Sequence, residues 1–248
     1  MMIGFMQGRL TKSKDGKLQF FPWTNWENEF KLANKNKYGL IEWTIDSYKI
    51  LNNPIFTQTN AIKKLCKTYN IEVNSVTCDF LMENPFYKDS KKKIDSLEIF
   101  EKLIDSCKLL SIKYIIFPLV DNGRIETNSQ LDTLIKKLSK IESNLDQKVQ
   151  ILFESDFPPK KYINFIKKFD TSFIGINYDT GNSASKGFDP SEEIQTYGKY
   201  IKNVHIKDRL FRGKTVPLGT GNADFKSIFK NLSKIKYNLG QFHLFYIL

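Results

Sequence analysis

The chain has 248 residues, of which 41% are hydrophobic and 14% aromatic, enough apolar material to exclude intrinsic disorder. Its net charge of +11 comes from 38 basic against 27 acidic residues. Arg9, Arg124, Arg209 and Arg212 are its only arginines; the lysines fall in groups such as Lys63-Lys64-Lys67 and Lys136-Lys137-Lys140, the spacing of solvated helix faces, so a lysine bias in composition explains the charge better than a nucleic-acid groove.

Taken in chain order, short β-branched or aromatic runs alternate with longer stretches of helical period, the pattern of parallel βαβ units. Strands are expected at Met2–Met6, Gly39–Trp43, Glu72–Cys78, Tyr114–Pro118, Val149–Glu154, Phe173–Tyr178, Asn203–Ile206 and Phe242–Tyr246. Helices are expected between them at Trp26–Asn34, Asn60–Tyr69, Lys92–Leu110, Gln130–Leu145, Pro159–Phe169, Pro190–Tyr200 and Phe225–Ser233. Two helix starts carry capping signals: Asp189 before Pro190, and Asp224 before Phe225. No Pro/Gly-rich linker divides the chain, so residues 1–248 read as one α/β domain, a (β/α)8 TIM barrel. The sequence stops after its eighth apolar strand, without the helix expected to cover it, which implies either truncation or cover by a second copy in a homodimer.

The N-terminal apolar run of six residues is too short for a signal peptide, and no run elsewhere reaches the ~18 residues of a membrane helix. A cytoplasmic protein without membrane partners is therefore expected. Cys66, Cys78 and Cys107 are odd in number and widely spaced, which suggests buried reduced thiols rather than disulfides or a thiolate zinc site.

Three consecutive strands end in a metal-capable side chain: Glu154, Asp179 and His205, at spacings of 25 and 26 residues, one βα unit apiece. Equal positions in successive barrel units lie at equal height on neighbouring strands, so the three should converge at the C-terminal mouth. Two carboxylates and an imidazole suit Mn²⁺, Mg²⁺, Co²⁺ or Zn²⁺, and a carboxylate closing the apolar run Ile151-Leu152-Phe153 needs a partner. Lys207 shares the strand parity of His205 and is placed to hold a substrate oxygen or phosphate. Arg9 and Glu42, on the first two strand ends, are weaker candidates for substrate contact. Backbone N–H groups of the Gly219-Thr220-Gly221 loop are a further candidate for phosphate.

The segments Glu154-Ser155-Asp156, Asn177-Tyr178-Asp179-Thr180-Gly181-Asn182, Val204-His205-Ile206-Lys207-Asp208-Arg209 and Pro217-Leu218-Gly219 through Asp224-Phe225 resemble the strand-end motifs of the sugar phosphate isomerase/epimerase family. Phe21-Pro22, Trp26 to Phe30 and Ile41-Glu42-Trp43 are similar as well. The resemblance implies a xylose isomerase-like TIM barrel with a divalent metal on Glu154, Asp179 and His205, and Glu154 doubling as the base that removes a proton next to a carbonyl. It places Lys207, Asp208 and Arg209 near the substrate, a sugar or sugar phosphate. The family's eighth strand ends in Glu or Gln as fourth ligand, where this chain has Phe245, with Gln241 and His243 deeper on the same parity. That departure keeps a catalytically impaired binding or scaffold barrel open beside the isomerase, as it does a related lyase or dehydratase. A tri-metal endonuclease on the same barrel needs several histidines, whereas this chain has only His205 and His243.

Overall fold

The structure is a computed structural model that describes residues 3–11, 20–88, 94–142, 145, 149–235 and 237. Strand β1 (Gly4–Met6) leads through helix α1 (Trp26–Lys35) to β2 (Leu40–Ile45), and the short α2 (Pro54–Thr57) and α3 (Thr59–Tyr69) precede β3 (Glu72–Cys78). The turn α4 (Phe80–Glu83) and helix α5 (Ser96–Leu110) come before β4 (Tyr114–Leu119), and α6 (Asn128–Glu142) before β5 (Gln150–Ser155). Then follow α7 (Pro159–Ile166), β6 (Ile174–Asp179), α8 (Thr180–Lys186), α9 (Pro190–Tyr197) and β7 (Ile201–His205). A two-residue hairpin of β8 (Asp208–Arg209) and β9 (Thr215–Val216) precedes α10 (Phe225–Lys234).

Strands β1 to β7 form one parallel sheet in chain order, as the alternation of strand and helix predicts. The sheet curls because each parallel crossover returns to the neighbouring strand with the same hand. The eighth strand expected at Phe242–Tyr246 lies outside the described residues. The expected helices are found within a few residues of their predicted ends, and both predicted caps form: Asp189 accepts from Ser191 N and Asp224 from Ser227 N. Among the described residues no helix is long and apolar enough to cross a membrane.

Strand parity divides the side chains. On β5, Phe153 packs edge-on against Phe165 and tilted against Phe169, at ring separations of 5.0 and 5.2 Å, under α7 and the turn after it. Its neighbours Leu152 and Glu154 project to the opposite, inner face. Phe117, Phe153, Ile174, Ile176 and Val204 belong to the core between sheet and helices. The inner face carries a buried polar layer instead, with Glu42, Ser75, Asn177, Asn203 and His205 all at most 4% exposed. Its groups hydrogen-bond to one another, as buried polar atoms must: Ser75 Oγ donates to Glu42 Oε2 at 2.7 Å, Asn203 Nδ2 to Asn177 Oδ1 at 2.8 Å, and Asn177 Nδ2 to Glu154 Oε2 at 2.7 Å.

Candidate metal centre

Register brings the three strand-end groups together. Asp179 of β6 pairs directly with His205 of β7, while on β5 the pairing of Phe153 with Ile176 sets Glu154 beside Asn177. The register shifts by one residue between Ile176 and Asn177, a bulge of the kind that re-aims side chains near functional sites. As a result, ligand-capable atoms of Glu154, Asp179 and His205 lie within 4.8 Å of one another. His205 Nδ1 stands 3.2 Å from Glu154 Oε2 and 3.9 Å from Asp179 Oδ2.

Each side chain is held from behind. Asn182 Nδ2 donates to Glu154 Oε1 at 2.8 Å, complementing Asn177 on Oε2. Asp179 does two jobs: Oδ1 accepts from Asn182 N at 2.7 Å and caps α8, while Oδ2 faces His205 and Lys207. The other edge of the imidazole meets Glu42, with Nε2 at 3.1 Å from Oε1 and 3.3 Å from Oε2. A carboxylate on the far ring nitrogen fixes the orientation of a metal-binding histidine and raises its basicity.

The charges respond to this crowding. Burial alone would lower the His205 pKa, but the Glu42 charge and the Glu154 hydrogen bond outweigh it and raise it to about 10. Burial pushes the Glu154 carboxyl up, yet His205, Lys207 and Asn177 together hold it below the ordinary range. Asp179 goes the other way, raised by burial and by the Glu154 charge against the pull of Lys207 and His205. Two carboxylates this close, in a buried site, are stabilised by whatever cation lies between them. The O/O/N donor set fits a divalent cation, which Glu154 Oε2, Asp179 Oδ2 and His205 Nδ1 would hold.

The triad lies at the base of a cavity of about 650 Å³ also lined by Thr77, Asp79, Pro118, Arg124, Asp156, Asn182, Lys186, Lys207, Arg209 and Arg212. Lys207 and Arg209, two of the expected substrate contacts, stand in its wall. The Lys207 Nζ is 3.6 Å from Asp179 Oδ2, and its stem runs over Gly181, where a Cβ would come within 2.7 Å of Lys207 Cγ. Arg209 donates through Nη1 to Asn182 Oδ1 and through Nε and Nη2 to the Gly213 carbonyl.

Three expected substrate contacts sit elsewhere. Asp208 is 1% exposed and lies outside the cavity wall; its Oδ2 accepts from Gly219 N and Gly221 N and its Oδ1 from Ala223 N, at 2.8 to 3.0 Å. It therefore organises the Gly219-Thr220-Gly221 loop, and the two glycine N–H groups expected to meet phosphate are already engaged. Glu42 is fully buried behind His205, and Arg9 is coupled through charge to Asp79, itself part of the wall. Gln241, His243 and Phe245 lie outside the described residues. Asn177 and Asn182 were not singled out from the sequence as site residues, although both stand in the quoted segment around Asp179 at the offsets, two before and three after, that face the same site.

Residues 30–239 match the family model of the xylose isomerase-like TIM barrel. A curated relative, inosose dehydratase of Geobacillus kaustophilus, is 30% identical over 87 residues; the match covers 28% of this chain and 28% of that protein, so the chain spans little more than a quarter of it. Among solved structures, a xylose isomerase domain protein from Planctomyces limnophilus superposes with a TM-score of 0.73 at 15% identity, covering 98% of this chain and 87% of that one. D-Psicose 3-epimerase from Clostridium cellulolyticum H10, solved with D-tagatose, gives 0.72 at 14% identity over 99% and 84%. The IOLI protein with a bound zinc atom gives 0.70 at 17% identity over 100% and 89%. At such identities the likeness is one of fold.

Proposed function

Because this chain belongs to the xylose isomerase-like TIM barrel family, we propose that it is a divalent-metal-dependent isomerase or epimerase of a sugar or sugar phosphate. The observation that carries the reading is the convergence of Glu154, Asp179 and His205 within 4.8 Å at the base of a polar cavity at the C-terminal strand ends, where barrel enzymes place their chemistry. A Mn²⁺, Mg²⁺, Co²⁺ or Zn²⁺ ion there acts as a Lewis acid toward a substrate carbonyl.

The chain's own groups supply the rest. Glu154 is ionised and fixed by two asparagine amides, Asn177 and Asn182; it takes the proton from the carbon next to the carbonyl and leaves an enediolate. Lys207, in the cavity wall with its Nζ 3.6 Å from Asp179 Oδ2, donates to substrate oxygens as negative charge builds on them. Glu42 keeps the His205 ring in place. The local identity with an inosose dehydratase favours one second reading, a dehydratase in which the same proton abstraction is followed by loss of a neighbouring hydroxyl.

The test is Mn²⁺ titration of the purified chain beside Glu154→Gln and His205→Ala, then solvent deuterium exchange into a panel of ketoses and ketose phosphates. Stoichiometric binding that both variants lose, with exchange at the carbon next to the carbonyl, is expected. A folded protein that binds no metal would sink the proposal and leave the barrel a binding or scaffold protein.

A further inference from the structure

We propose that the outer rim of the cavity is a phosphate subsite, so that the substrate of the site described above is a phosphorylated sugar; this rests on the isomerase reading only for the identity of the reacting end. The rim carries Arg124, Lys186, Arg209 and Arg212 against two carboxylates, Asp156 and Asp121, an excess of two positive charges. The other acids of the wall are engaged deeper: Glu154 and Asp179 with His205 and Lys207, Asp79 with the charge of Arg9.

The arrangement is built rather than incidental. Asp156, with its side chain 8% exposed, accepts from Arg124 through both carboxylate oxygens and from Lys186 Nζ at 2.9 Å. One buried anion thus holds two cations side by side at the mouth. Arg209 spends its hydrogen bonds on neutral oxygens, the Gly213 carbonyl and the Asn182 amide, so its charge is uncompensated by them. Arg212 is placed by a backbone bond from its N to the Ser185 carbonyl at 2.8 Å, next to Lys186, and adopts φ of 50°, a conformation that costs a non-glycine residue about 1 kcal/mol or more and that recurs at ligand clamps. Its guanidinium lies over the Phe211 ring, which limits its freedom.

The spacing suits a sugar. Asp179 and Lys186 stand at the two ends of α8, about 10 Å apart at a helical rise of about 1.5 Å per residue. This separation of the two backbones is of the order of the length of a five- or six-carbon sugar phosphate. Several converging cations favour a dianionic phosphoryl group over the single charge of a sugar acid.

The test is calorimetric titration of inorganic phosphate, as dianion at mildly alkaline pH, into the Mn²⁺-loaded chain and into chain treated with chelator, beside the Lys186→Gln/Arg212→Gln double variant. Saturable binding in both forms of the parent chain, weakened at least about tenfold in the variant and not displaced by acetate, is expected. Binding that vanishes with the metal, that the variant retains, or that acetate displaces equally well overturns the subsite. A matched ketose and ketose phosphate in deuterium exchange separates this from the catalytic reading: exchange into neither compound, with phosphate still bound at the rim, refutes the isomerase and upholds the subsite, whereas equal exchange into both, with no phosphate binding, does the reverse.

Discussion

Replacing Glu42 with Gln keeps the shape of a buried side chain and removes its charge, which isolates its role behind His205. Glu42 is fully buried, its two oxygens lie 3.1 and 3.3 Å from His205 Nε2, and Ser75 Oγ steadies Oε2 at 2.7 Å. With the metal on Nδ1, the Nε2–H must donate to Glu42. Loss of such an outer partner costs about 10- to 100-fold in metal affinity, or about 1.4 to 2.7 kcal/mol. The Gln oxygen still accepts from Nε2, so Glu42→Gln belongs near the lower end; Glu42→Ala, which leaves Nε2 and Ser75 without that partner, belongs near the upper. Mn²⁺ titration followed by electron paramagnetic resonance reads both, with thermal melting to confirm folding. If a folded Glu42→Ala binds Mn²⁺ as tightly as the parent while His205→Ala does not bind it, then Glu42 does not orient the ligand and the reasoning fails; unchanged binding in Glu42→Gln alone would show that the acceptor matters and its charge does not.

The loop after β9 offers a paired measurement. A Cβ at Gly221 would overlap Asp208 Oδ1 and lie 2.8 Å from the Arg209 carbonyl, whereas a Cβ at Gly219, at φ of 82°, meets nothing within 4 Å. Gly219→Ala should therefore cost only its backbone strain, about 1 kcal/mol, and Gly221→Ala about 2 to 3 kcal/mol through overpacking against an aspartate that cannot retreat; equal losses in urea unfolding would refute Asp208 as the organiser of the loop. Glu29 gives a pH signature distant from the metal ligands. Burial outweighs the hydrogen bonds from Gly8 N, Leu10 N and Thr11 and raises its pKa to about 7. A carboxyl raised in the folded state contributes stability that is fully present below its unfolded pKa near 4.5 and is lost as pH rises through about 7, an effect of about 3 kcal/mol. The stability difference between the parent and Glu29→Gln, from urea unfolding across that range, should shift against the parent by that amount as pH rises, and a flat difference would contradict the burial argument.

The fold was legible in the sequence because parallel strands covered by helices leave a periodic trace: Ile-Leu-Phe at 151–153 and Ile-Gly-Ile at 174–176 stand out against the amphipathic stretches between them, and Asp189-Pro190 and Asp224-Phe225 mark helix starts through local chemistry alone. The triad was legible for the same reason, since a spacing of one βα unit becomes equal height on the sheet. What escaped are short elements, α2, α4, α8 and the β8–β9 hairpin, whose two to seven residues are too few to leave a periodic trace. Thr180 and Lys207 show the difference: the Thr180 hydroxyl donates to the Lys207 carbonyl and accepts from its N–H, a clasp across 27 residues that no local pattern announces.

The roles of Glu42 and Asp208 escaped for a further reason. Glu42 stands within β2 and Asp208 shortly after β7; near the ends of strands an acidic side chain reads as a substrate contact, and the sequence holds no sign of which way the chain aims it. On β2 the register with β3 shifts between Ile41 and Glu42, so that Glu42 comes opposite Ser75, and across the inner face its carboxylate meets His205 Nε2. At Asp208 three backbone N–H groups from a loop eleven to fifteen residues later claim both oxygens. Partner competition of this kind is decided by which donors the fold brings within 3 Å. Glu42 and Asp208 turn their oxygens to such donors and do not line the cavity, whereas Glu154, held by side-chain amides and by the imidazole edge it would share with a cation, and Asp179, whose Oδ1 caps α8 while Oδ2 is left over, both do.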